Sequence, residues 1–304
     1  MKQPAVLINP RLEGRYNLVV RSKETGEVVR ETGFFPNLIT SAGLNRLGTG
    51  GIGNYCQVGS GSIAPSVNDT GLVSRVASTS ENRDMKETAQ SSAPYFWSLS
   101  NTYRFAEGVA AGNLSEVGIG WGADGFLFSR ALILDAQGNP TSITVLANEF
   151  LDVTYELRIY IPTTDSTQTL TLNGVDYNVL TRAMDIAGVV AQTAYRLFYI
   201  GVTNNEGYEY TNFLDGDIGT IFQGPAGTAN GPEGRTATPY VNNSLYKEFV
   251  YSSSLDASNF AGGIKSMRFS TNIGRFQSRF TPPLPKDNTK RLTFPVRIAW
   301  ARKT

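Results

Sequence analysis

The amino-acid sequence predicts an all-β chain made of two tandem, internally duplicated β-sandwich (jelly-roll-like) units, residues 1–162 and 163–304, each with one short helix. Three observations carry that prediction. From residue 151 to residue 161 every odd position is apolar and nearly every even one polar, a period of two that marks a half-buried strand. The same alternation returns near the end of the chain, where Leu292, Phe294, Val296, Ile298 and Trp300 interleave with Thr293, Pro295, Arg297 and Ala299. Charged residues are only 17% of the chain while Gly (31 residues) and Pro (14) are plentiful, a composition suited to strands and turns rather than charged helices.

Taken in order, each half opens with a hairpin. In the first, Tyr16-Asn17-Leu18-Val19-Val20 and Glu27-Val28-Val29 flank Lys23-Glu24-Thr25-Gly26; in the second, Leu170-Thr171-Leu172 and Val175-Asp176-Tyr177 flank Asn173-Gly174. Asn-Gly between alternating runs is a strong hairpin signal, since both turn residues must take φ > 0. A short helix is expected after each hairpin, from Thr40 or Ser41 as N-cap to Gly48, and from Thr181 to Gly188. Further strands are expected over residues 95–105, 117–121, 126–134 and 142–145. In the second half they are expected over 196–202, 218–222, 246–251, 264–269 and 275–280, giving seven or eight strands per unit. Residues 60–87 and 224–243 read as polar or Gly/Pro-rich loops, and the boundary between units falls at residues 162–166.

The duplication rests on matches that keep their order. Thr154 to Ile159 superposes on Thr293 to Ile298 at an offset of 139, Asn37 to Ala42 on Asn178 to Ala183 at 141, and Val58-Gly59 on Ile200-Gly201 at 142. Tyr103 to Phe105 resembles Tyr246 to Phe249, and Phe128-Ser129-Arg130 resembles Gln277-Ser278-Arg279. Drift of this size is what length changes confined to loops produce. The alternative is one larger sandwich with coincidental matches.

The chain has no histidine, which removes Ser-His-Asp, Cys-His and His-zinc chemistry together, and its single cysteine, Cys56, excludes an internal disulfide. A net charge of +1 offers no field for nucleic acid, and no apolar run is long enough for a signal or a membrane span. Three Gly-rich stretches, at residues 48–53, 59–64 and 120–125, lack the strand-to-helix context of a dinucleotide site. Glu116, Asp124, Glu206, Glu209, Asp215 and Asp217 are candidates for carboxylate chemistry, and Asp215 and Asp217 also for calcium binding although their spacing is not that of an EF-hand loop, with solvated turn acids as the other reading. No catalytic residue, cofactor or metal is therefore expected. Aromatics gather between residues 195 and 222, and Tyr208, Tyr210, Phe213 and Tyr240 are the candidates for an interface or ligand contact. The basic tail (Lys290, Arg291, Arg297, Arg302, Lys303) is expected to face solvent or a neighbouring subunit.

Asn37-Leu38-Ile39-Thr40-Ser41-Ala42-Gly43-Leu44, Gln57-Val58-Gly59-Ser60-Gly61-Ser62-Ile63-Ala64-Pro65 and Asn68-Asp69-Thr70-Gly71-Leu72 resemble virion structural proteins of tailed bacteriophages. So do Leu114-Ser115-Glu116-Val117-Gly118-Ile119-Gly120, Leu127-Phe128-Ser129-Arg130-Ala131 and Leu151 to Leu157. The second half lacks the Gly-Ser-Gly and Asn-Asp-Thr signatures. The resemblance implies a non-enzymatic virion component in the tail, baseplate or tail-fibre attachment region, assembled in the host bacterial cytoplasm. Its partners would be copies of itself, as a trimer or hexamer, and other virion proteins, with no nucleic acid and no membrane insertion. A neck, collar or head-decoration protein and a tail protein binding a host receptor or surface glycan are the alternatives; an enzyme would need two facing carboxylates in a cleft.

Overall fold

A computed structural model describes residues 6–188 and 211–303. In the first half the elements are β1 (Val6–Ile8), β2 (Arg11–Ser22), β3 (Val28–Glu31), β4 (Phe35–Pro36), β5 (Leu38–Ile39), α1 (Ser41–Arg46), β6 (Tyr55–Gly59), β7 (Arg75–Thr79), β8 (Asn82–Gln90), β9 (Phe96–Phe105), β10 (Gly112–Leu114), β11 (Glu116–Gly120), β12 (Leu127–Leu132), β13 (Ile143–Val145) and β14 (Glu149–Tyr160). The second half adds β15 (Ser166–Leu172), β16 (Val175–Ala183), β17 (Thr211–Leu214), β18 (Ala229–Asn230), β19 (Gly234–Ala237), β20 (Tyr246–Ser253), β21 (Ile264–Thr271), β22 (Gly274–Leu284), β23 (Leu292–Ala299) and β24 (Ala301–Arg302). The fold is all-β and sandwich-like.

The alternation that marks residues 151–161 places β14 at the centre of a sheet ordered β24-β2-β14-β9-β8. Its odd residues are buried, as are Leu12, Tyr16, Leu18 and Val20 of β2, which lies antiparallel with Tyr16 opposite Tyr155. This face packs on a second sheet, β5-β12-β11-β6-β7. The Tyr16 hydroxyl lies 2.7 Å from Ser129 Oγ on β12, and the Phe128 ring meets Tyr155 edge-on at 6.5 Å.

The even residues of β14 form a ladder of pairs. Asp152 accepts from Arg104 at 2.6 Å and from Arg21 at 3.1 Å; Glu156 accepts from Arg15 at 2.6 Å and Arg158 at 2.8 Å. Burial opposes the charge on Glu156, but Arg158 and Arg15 outweigh it and hold its carboxyl below the ordinary value of 4.5. The stability this group contributes is therefore complete above its unfolded pKa and lost as pH falls through the lowered folded value. The stability difference between the parent chain and Glu156→Gln is expected to be largest near neutral pH and to shrink in acid. Denaturant midpoints across the acid range check this, and a pH-independent difference would contradict it.

In the second half the hairpin forms as expected, with Asn173 and Gly174 at φ +50° and +77° between β15 and β16. The helix expected from Thr181 to Gly188 does not form. Residues 181–183 continue β16 instead, pairing with β22 so that Thr181 faces Ser278 and Ala183 faces Phe276. Val179, Thr181 and Ala183 are all buried, a period of two, and the Thr181 and Ser278 hydroxyls meet at 2.8 Å. The ladder thus outbids local helix signals. Residues 60–87 are likewise not one loop but contain β7 and most of β8. Residues 218–222 form a turn rather than a strand, held by buried Gln277, whose Oε1 accepts from Gly219 N at 2.8 Å and whose Nε2 donates to the Thr220 carbonyl at 2.9 Å. The strand expected over 196–202 lies outside the described residues. The sheets here are ordered β15-β16-β22-β21-β17-β18 and β1-β23-β20-β19.

The two ends of the chain join the halves. β1 runs parallel to β23 (Val6 beside Val296, Ile8 beside Ile298) and β2 parallel to β24 (Arg11 beside Ala301, Leu12 beside Arg302), one continuous register across both pairs. The link at residues 162–166 does separate β14 from β15, yet the N-terminal strand lies in a second-half sheet and the C-terminal strand in a first-half sheet. Trp300, between β23 and β24, is buried, donates its indole N–H to the Leu44 carbonyl at 2.8 Å and stacks on Tyr240 at 5.8 Å. Buried side chains of both halves form one contiguous core. Much of the basic tail is consumed in this closure: Arg302 donates to the Ile39 carbonyl, Arg297 pairs with Glu248, and Lys303 lies 3.4 Å from Glu13.

Candidate functional site

Residues 61–74, β11 and β12 meet at one place, around a buried ion cluster. Glu116 on β11 and Arg130 on β12 are 0% and 1% exposed, on neighbouring strands. Arg130 reaches Glu116 Oε2 at 2.8 Å and Asp69 Oδ2 at 2.7 Å, and donates to the Ile63 carbonyl at 2.7 Å. Glu116 in turn accepts from the backbone N–H groups of Gly61 (3.0 Å), Val73 (3.1 Å) and Ser74 (2.7 Å). Asp69 also accepts from Ser66 N at 2.8 Å, a local side-chain to backbone bond within the turn. Ser115 donates to the Gly61 carbonyl at 2.9 Å. The loop of residues 60–74 is thereby fixed at both ends and in the middle. Gly61 is needed for this approach, because a Cβ there would lie 2.4 Å from Glu116 Oε1.

The fixed loop forms one wall of a cleft of about 480 Å³. Val67 and Asn68 line that wall; Ser41, Asn45 and Arg46 of α1, with Trp121, line the next; Tyr240, Asn242 and Asn243 close it from the second half. Helix α1 begins where expected, with the Thr40 hydroxyl accepting from Gly43 N at 2.8 Å while it donates to the Leu127 carbonyl at 2.7 Å. Asn45 is the joint between the halves. Its Oδ1 accepts from the Tyr240 hydroxyl at 2.7 Å and Asn243 N at 2.6 Å, and its Nδ2 donates to Asn243 Oδ1 at 2.7 Å. Arg46 lies over the Trp121 ring at 5.3 Å and donates to the Gly51 carbonyl. Buried Lys247 donates to the Gly48 carbonyl at 3.2 Å across the same boundary, and burial lowers its pKa. Ile63, Phe126 and Val241 are exposed apolar side chains in the loops that neighbour these lining residues in sequence.

Of the residues singled out from sequence, Tyr240 does line this cleft. Phe213 does not: it sits on β17 between β18 and β21, fully buried, because the alternation of that strand turns Phe213 into the core. Tyr208 and Tyr210 lie outside the described residues, as do Glu206 and Glu209. The remaining carboxylates are dispersed. Glu116 is in the ion cluster, Asp124 pairs with Arg75 on the surface at 3.0 Å, Asp215 accepts from Thr228 N, and Asp217 accepts from Ile218 N. Among the described residues no three His, Cys, Asp or Glu side chains cluster as metal ligands, and no helix is long and apolar enough to cross a membrane.

The Gly-rich stretches serve loop geometry. Residues 120–125 join β11 to β12, and the buried Gln57 amide donates to the carbonyls of Gly122 (2.8 Å) and Gly125 (2.7 Å). Cys56 beside it is buried, which pushes its thiol pKa well up. Arg130, Asp69 and Glu116 were not legible in the sequence as a set, because they lie on separate stretches, 127–131, 68–72 and 114–120. Compared with known protein families, curated proteins and solved structures, the chain matches none.

Proposed function

We propose that the chain is a non-enzymatic structural component of a tailed-phage virion, placed in the tail, baseplate or tail-fibre attachment region and working by packing against copies of itself and other virion proteins. The observation that supports this reading is that four of the six stretches carrying the resemblance (57–65, 68–72, 114–120 and 127–131) contribute to the Arg130–Glu116–Asp69 cluster, whose hydrogen bonds fix the shape of one loop. Cleft groups are spent in the same way: Asn45 and Tyr240 bind each other across the halves rather than standing open to a sugar.

Duplication is part of the proposal. In chain order the sheet β5-β12-β11-β6-β7 follows the same path as β16-β22-β21-β17-β18, and β14-β9-β8 the same path as β23-β20-β19. Two similar units per chain would let three chains offer six near-equivalent faces, fitting a threefold element to a sixfold tail. Native mass measurement of the purified full chain tests this. A trimer or hexamer is expected; a monomer or a five-membered ring would overturn it.

A further inference from the structure

Sheet edges are where a β protein must either defend itself or bind, because an edge strand presents unpaired N–H and C=O groups. Most edges among the described residues are defended. β8 carries Arg83, Asp84, Lys86 and Glu87, β7 begins at Arg75 and is bulged, β19 has Arg235 within four residues, and β5, β18 and β24 are two residues long. β15 is different: seven residues, Ser166-Thr167-Gln168-Thr169-Leu170-Thr171-Leu172, with no charge and no proline, at the end of the six-stranded sheet.

Its register shows which groups face outward. Leu172 and Val175 close the two-residue turn and so form a hydrogen-bonded pair. Alternation along an antiparallel ladder then turns the N–H and C=O groups of Thr171, Thr169 and Thr167 toward the open edge. Those three side chains are exposed, while Leu170 on the other face is buried.

We propose that this edge pairs with the same edge of a second copy, antiparallel about a twofold axis through Thr169. Of the possible twofold registers, this one pairs all three outward threonines within β15. Thr169 faces its own counterpart, Thr167 faces Thr171, Leu170 faces Gln168, and no charges meet; Asp165, already paired with Arg182 at 2.6 Å, falls opposite Asn173. Three hydrogen-bonded pairs give about six main-chain hydrogen bonds. Threonine opposite threonine is a favourable cross-strand pair. The contact is isologous and joins the six-stranded sheets of two chains into one; within the assembly proposed above it pairs two trimers into a hexamer, and a trimer alone would lack it. It rests on the reading that the chain assembles with itself, and adds where and with what symmetry the copies meet.

Cysteine cross-linking of the full chain tests the register, with the parent as control since its only cysteine is buried. Thr169→Cys is expected to give a disulfide-linked dimer on mild oxidation, because hydrogen-bonded pairs place Cα atoms about 5.5 Å apart. Thr167→Cys and Thr171→Cys are expected to cross-link only when mixed. Thr169→Pro removes one outward N–H per copy without touching the β15–β16 ladder, and is expected to weaken association about thirtyfold with the monomer still folded. Failure of Thr169→Cys to cross-link, or assembly unchanged by Thr169→Pro, would overturn the edge contact while leaving self-assembly standing. A parent chain that stays monomeric at every concentration would overturn both.

Discussion

Replacing Arg130 with leucine is expected to destabilise the protein by about 3–5 kcal/mol, the usual cost of leaving one member of a buried ion pair without its partner. Glu116 is fully buried, and three backbone N–H groups alone would then have to balance its charge. Asp69 would lose the same guanidinium, and the Ile63 carbonyl its donor. The exposed Arg75–Asp124 pair provides the internal comparison, since removing it should cost less than about 1 kcal/mol. Urea denaturation of Arg130→Leu, Glu116→Leu and the double variant separates the pair from its surroundings: the double variant is expected to lose clearly less than the sum of the singles. Limited proteolysis should find new cuts within residues 60–74 in Arg130→Leu. A loss below about 1 kcal/mol, or an untouched loop, would refute the account of the cluster.

Trp300→Ala is expected to cost a comparable amount, about 3–5 kcal/mol, because a large buried side chain is removed from a site that cannot collapse easily. The indole stacks on Tyr240, donates to the last turn of α1 through the Leu44 carbonyl, and sits at the junction of β23 and β24. One side chain therefore ties α1 of the first half, the Tyr240 loop of the second and the closing ribbon. Trp300→Phe should keep the stacking but not the hydrogen bond, and recover part of the loss. The parent is expected to unfold in one cooperative transition. Trp300→Ala should lower its midpoint and loosen the contact of the halves, visible as faster amide exchange at Asn45 and Asn243. A variant within about 1 kcal/mol of the parent would show that the ribbon closes without this anchor.

Where local pattern and tertiary demand agreed, the sequence was readable. Residues 151–161 gave the central strand because one face is wholly apolar, and Thr40 gave the helix start because its hydroxyl has an N–H to cap. Asn37 to Ala42 and Asn178 to Ala183 read alike and end differently. In the first, Leu44 and Leu47 supply a buried helical face, whereas in the second Ser278 and Phe276 across the ladder claim Thr181 and Ala183. β8 was hidden because its polar residues face outward at an edge, so no alternation marks it. The ion cluster could not be read at all from spacing: Arg130 finds Glu116 14 residues away and Asp69 61 residues away, and only the folded sheet brings them together. Tyr240 was picked for its aromatic ring, yet its neighbours Asn45 and Trp300 are 195 and 60 positions distant, and no local rule names them.

The parallel ribbon of β1–β2 with β23–β24 has a consequence for synthesis. Val6 waits for Val296, which leaves the ribosome 290 positions later, so β1 stays unpaired until β23 has been made. Loop closure over such a distance is slow compared with hairpin formation, and β2 can reach β14 long before β1 finds β23. During that interval the emerging chain carries β1 as a bare strand, and neighbouring copies on one messenger would be presented to each other in that unfinished state. Synthesis of β23 and β24, rather than completion of the first half, is then the event that lets the two halves close on each other.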